Sequence, residues 1–141
     1  MGTKLILYFG HPINTYHTKL EQELLFVIQR NFRNDIIENP SDKCHQDAAL
    51  AMKEKTGSAV PYFLKHLDGC NGGIFLPFRD GMWDTRMFME ADRLEEAGKP
   101  VWKITHEGII TFATNLNARL ALSARKTRLR IRYPDGTPKP Y

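Results

Sequence analysis

Asp84 and Glu90 stand six residues apart in DTRMFMEADRLEEAGKP, where Met87, Ala91 and Leu94 recur at helical spacing. A loop that runs into a helix at this point sets two carboxyl groups over one place. The alternative is an N-cap at Asp84 and an ordinary helix carboxylate at Glu90, paired with Arg86 or Arg93. As a working pair, one carboxylate attacks or stabilises a cationic centre while the other manages a proton. More polar and aromatic residues stand at the ends of apolar runs. Tyr8, Gly10, His11 and Pro12 close the first run, Asn14 follows, Asn39 closes the second, and Phe78 ends GIFLPF. His11 is a ligand or proton-transfer group, or a plain loop histidine. His17, His45, His66 and His106 show no metal-ligand spacing with Cys44 or Cys70, so neither a metal nor a cofactor is expected.

Short apolar runs alternating with helical stripes position these groups. Residues 4–9, KLILYF, read as a buried strand closed by Gly10 and Pro12. Thr18 and Glu21 form a capping box before a helix striped by Leu20, Leu24, Val27, Ile28 and Phe32. A second strand is expected at residues 35–37, and a weaker helix, capped by Ser41 or Asp42, through about Met52. Residues 55–58 read as a loop, residues 60–67 as a short helix opening on Pro61, and residues 73–78 as a third strand. The helix carrying Glu90 stops at Gly98, and Pro100 keeps it from resuming. Strands follow at residues 101–104 and 109–112. For residues 122–133 a helix capped by Ser123 is expected in the first half; Leu129, Ile131 and Tyr133 alternate with arginines as a strand would. Residues 134–141 read as an extended or mobile tail.

This alternation predicts an α/β fold: a mainly parallel sheet of four or five strands with helices on both faces. Ligands of such sheets sit at the carboxyl ends of the strands, where three polar loops (residues 10–12, 38–40 and 78–84) are expected to converge. No Gly-rich dinucleotide or P-loop fingerprint is present. With 141 residues, the reading is one α/β domain over residues 1–133 with a basic segment at 119–133, followed by the tail. No run suits a membrane span or signal peptide, and two distant cysteines point to a reduced, cytoplasmic protein. The net charge of +4 is uneven: seven Lys/Arg against one Asp from Arg119 onward leave residues 1–118 at −2. Such a segment meets phosphate or nucleic acid, or is a solvated face with carboxylate partners.

The layout LYFGHPI, then GIFLPFRDG, then Asp84-x5-Glu90 and GKPV, resembles the nucleoside 2-deoxyribosyltransferase-like superfamily over residues 4–104. The resemblance implies a three-layer flavodoxin-like or Rossmann-like domain that cleaves or transfers the N-glycosidic bond of nucleosides or nucleotides. It makes Glu90 the nucleophile at the anomeric carbon, and Asp84 the group that orients the sugar or helps protonate the base. Tyr8, Gly10, His11 and Pro12 would form the wall against the base, with Asn14, Asn39 and Phe78 nearby. A helix N-terminus would keep the nucleophile ionised. Where the family has glycine between the two acids this chain has residues 85–89, and Arg86 there offers a fork of donors to a phosphate. A homodimer is also implied. Two rivals to the enzyme are a nucleotide sensor on the same fold and a nucleic-acid contact through the Arg-rich segment.

Overall fold

Alternate side chains of a central strand must be apolar on both faces, and residues 6–10 meet that demand. In the computed structural model, which describes residues 4–113 and 116–141, β1 (Ile6–Gly10) buries Leu7 and Phe9 on one side and Tyr8 on the other. It is flanked in parallel by β2 (Ile36–Glu38) and β3 (Gly72–Phe75). β4 (Val101–Ile104) continues the parallel sheet, and β5 (Ile110–Phe112) adds an antiparallel edge, giving the order β2-β1-β3-β4-β5. The result is a three-layer α/β fold of flavodoxin/Rossmann-like form. The strand order reverses between β1 and β3, so the loops leaving their carboxyl ends part and leave a crevice.

On the Leu7/Phe9 face, α1 (Lys19–Asn31) packs through Leu24 and Ile28. Thr18 accepts from the Glu21 amide at 3.2 Å, as the capping box requires. Glu21 reaches back to the amide of His17 rather than that of Thr18, which a 3-10 turn at Ile13–Thr15 has already engaged through the Thr15 carbonyl. On the Tyr8 face lie α3 (Val60–Asp68) and α4 (Thr85–Glu96), bringing Leu67, Met87, Ala91 and Leu94 to Phe75 and Trp83. The Phe75 ring lies flat across Gly10 and Gly73, where a β-carbon would meet it.

Several boundaries differ from expectation. α2 (Lys43–Thr56) takes in residues 55 and 56 and ends at Gly57, whose φ of 87° suits a left-handed stop. β3 is shorter than expected, because residues 76–78 leave the sheet for the crevice. α5 (Ala124–Ile131), capped by Ser123, absorbs most of the ambiguous segment as helix. Its sequence lacks a helical stripe because α5 buries no side chain. The tail is extended but tied back: the Tyr133 amide donates to Thr137 and the Lys139 amide to Ile131.

Candidate active site

The fold brings Asp84, Arg86 and Glu90 from α4 against Tyr8 of β1, beside the reversal point. Asp84 is the N-cap, its Oδ1 accepting from the Met87 amide at 2.7 Å. Six positions on, Glu90 is fully buried and accepts a hydrogen bond from the Tyr8 hydroxyl at 2.7 Å. Its other oxygen, Oε1, lies 3.8 Å from Arg86 Nε, and neither of these two atoms has a hydrogen-bond partner among the described residues. Arg86 donates instead to the Tyr16 hydroxyl at 2.8 Å, with its guanidinium 5.0 Å from the centre of the Phe63 ring. A quarter of its side chain remains exposed, so Arg86 covers the Glu90 carboxyl while bridging β1's exit loop and α3.

Burial governs the ionisation of this cluster. It pushes the Glu90 carboxyl up to about 7, against the pull of Arg86 and the Tyr8 hydrogen bond. The expected pull of the helix N-terminus toward the ionised form is outweighed by burial. Glu90 lies a turn and a half into α4, beyond the first turn where the dipole acts, and desolvation prevails. Burial also raises Asp84. Burial, then the charge of Glu90, holds Tyr8 well above its ordinary value, so Tyr8 remains the donor of the pair.

His11 faces no cleft. It is fully buried, with Nδ1 2.8 Å from Thr15 Oγ1, Nε2 3.0 Å from Asn39 Oδ1 and the Glu21 carboxylate 3.4 Å away. Desolvation lowers its pKa to about 4. Asn39 also accepts from the Ser41 amide, so the pair ties the exits of β1 and β2 together. The expected convergence of loops is present, but His11 and Asn39 are spent holding it. Pro12 serves the same end, its carbonyl accepting from Thr15, and Gly10 makes room for Phe75. Tyr8, expected against a base, meets Glu90 instead because it points to the α4 side of the sheet.

Asn14 and Phe78 do reach open space. They line a cavity of about 510 Å³ with Arg79, Asp80, Arg130 and Tyr141 among its other walls. Asn14 Oδ1 is buried there without a partner among the described residues. Arg130 forms two hydrogen bonds with Asp80, at 2.6 and 2.9 Å, and its guanidinium lies 4.9 Å from the Phe78 ring centre. Tyr141 stacks on Phe78 and on His106. Neither Asp84 nor Glu90 lines this cavity. Sequence reasoning missed Tyr16, Arg79, Arg130, Lys139 and Tyr141. Only the clustering of basic residues after Arg119 signalled any of them.

Among known proteins, no family model matches the chain, and no curated protein or solved structure matches it.

Proposed function

We propose that the protein cleaves, or transfers, the N-glycosidic bond of a nucleoside or nucleotide, with Glu90 as the nucleophile. The observation that carries this reading is the buried Tyr8–Glu90 hydrogen bond of 2.7 Å beside the reversal point of the sheet. A carboxyl fixed there by a single phenolic donor keeps its second oxygen, Oε1, free to attack. In the reaction, Glu90 Oε1 bonds to the anomeric carbon as the carbon–nitrogen bond breaks, and the electron pair leaves with the base. Asp84, the N-cap of the helix that carries Glu90, is the candidate to orient the sugar or to relay a solvent proton to the leaving base. Water then resolves the glycosyl ester in a hydrolase, or a second base does so in a transferase. Arg86 must swing away from Glu90 for a sugar to enter, which frees its fork of donors for a phosphate.

A second reading has one specific observation behind it: the open cavity is lined by Asn14, Arg79, Lys139 and the Arg130–Asp80 pair but by neither Asp84 nor Glu90. A protein that binds a phosphorylated nucleoside there, and leaves it intact, is a sensor on the same fold. Incubation with a panel of nucleosides and 5′-monophosphates, with free base as readout, separates the two. Base release that falls to background in Glu90→Ala supports the enzyme. Binding without release supports the sensor, and release undiminished in Glu90→Ala removes Glu90 from the mechanism.

A further inference from the structure

Three elements on the Tyr8 side of the sheet bring together Glu38, the last residue of β2, His45 in the first turn of α2, and His66 in the last turn of α3. One ligand-type atom from each lies within 4.8 Å of the other two. His45 Nε2 is 2.9 Å from Glu38 Oε2, and His66 Nε2 is 3.8 Å from that oxygen. The first distance is a hydrogen bond and needs no further explanation. The second is too long for one, yet His66 Nε2 is buried and has no partner among the described residues. A buried ring nitrogen left without a partner is costly, so something in the arrangement is unsatisfied.

An ion would satisfy it. Ligands about 2.1 Å from a tetrahedral zinc ion lie about 3.4 Å from one another. The 2.9 and 3.8 Å separations from Glu38 bracket that spacing, and the three ligand atoms all lie within 4.8 Å of one another, so side-chain adjustment would draw the set around an ion. The orienting contacts are also present. His45 Nδ1 lies 2.7 Å from the Tyr62 hydroxyl, a bond that fixes the ring with Nε2 toward Glu38. The Tyr62 ring stacks parallel to His66 at 6.2 Å. Side-chain exposures of 29% for Glu38 and 24% for His66 leave one side open for ion entry and a water ligand. Cys70 stands near but outside the cluster, its thiol donating to the His66 carbonyl.

We propose that Glu38, His45 and His66 form a binding site for a divalent transition ion of zinc type, with three protein ligands and a fourth position open to water. The site does not depend on the role given to Glu90. In the chain the ligands are separated by six and twenty residues, and only the packing of β2, α2 and α3 unites them.

Calorimetric titration of the full chain, stripped with chelator, with Zn²⁺ tests the proposal. The expected result is one ion per chain, a raised melting temperature, and a Co²⁺ adduct with the intense visible absorption of a four-coordinate ion. His66→Gln and Glu38→Gln lower zinc affinity by at least about 10-fold, as first-sphere losses should exceed outer-sphere ones. Tyr62→Phe lowers it by about 10-fold through the lost orienting bond. His17→Gln, His106→Gln and Glu90→Gln leave affinity unchanged, which separates this site from the glycosidic one. No zinc uptake by the stripped chain overturns the proposal, as does stoichiometric uptake that survives both His66→Gln and Glu38→Gln. Where a variant does not fold, the Co²⁺ spectrum of the unaltered chain decides: that of the hydrated ion overturns the site.

Discussion

In the proposed reaction, Glu90 combines a catalytic requirement with a folding cost. Attack needs the carboxylate, whereas burial holds the carboxyl at about 7. In the glycosidase reading, kcat/KM therefore rises with pH through about 7, and a profile flat across that range removes Glu90 as the ionising nucleophile. The Tyr8 hydrogen bond favours the charged form, so Tyr8→Phe moves this limb to higher pH. The same shift acts on stability with a definite sign. The folded state holds the Glu90 proton more tightly than the unfolded chain, whose carboxyl titrates near 4.5. Stability is thus lost as pH rises from about 4.5 through about 7, by roughly 3 kcal/mol at most. Glu90→Gln removes that contribution. Chemical denaturation of both proteins across this range should show the variant gaining on the wild type as pH rises.

At the scale of elements, α4 carries Glu90 and Asp84 caps it, so the helix start sets the geometry of the proposed site. Asp84→Ala forfeits the bond to the Met87 amide and costs about 1 kcal/mol. Asp84→Asn keeps a capping oxygen and most of the stability, so base release lost in Asp84→Asn with an unchanged melting curve assigns Asp84 to proton transfer. Gly10→Ala drives a methyl into the Phe75 ring between β1 and β3, at a cost of about 1–3 kcal/mol measured by denaturant melting. Local signals made much of this legible. Thr18 and Asp84 announce helices through cap chemistry, and Met87, Ala91 and Leu94 announce the buried side of α4. α5 gave no such stripe, since no side chain of it is buried. His11 was misplaced for a related reason. Its position after a strand is visible in the chain, but its partners Thr15, Glu21 and Asn39 come from three other segments. Glu38, His45 and His66 were invisible for the same cause, having no spacing that a linear motif could display.

Over the whole molecule, the charge excess after Arg119 acquires an address. Arg130 turns inward to Asp80, and Lys139 joins it on the cavity wall because residues 134–141 fold back along α5. The carboxylate-partnered face foreseen from composition is realised at Arg130. A phosphate-bearing ligand in this cavity should bind more weakly in Lys139→Ala, by calorimetry with a 5′-monophosphate, while the corresponding nucleoside is indifferent to the change. Equal losses for both ligands would show that Lys139 acts on the shape of the cavity and not on phosphate. The nucleic-acid reading depends on Arg125, Arg128, Arg130 and Arg132, and salt-dependent binding lost on neutralising them is its signature.

The seat of Tyr141 between Phe78 and His106 has a practical side. Residue 141 is part of the cavity wall, so a polypeptide joined after it starts beside the space a ligand would fill. An affinity handle fused there becomes a competitor for the space a ligand needs. A handle fused ahead of β1 does not, because that strand enters the sheet at the end opposite the crevice. Ligand screens run on the two fusions are therefore expected to disagree, and the size of the disagreement measures how far a polypeptide at this wall obstructs entry.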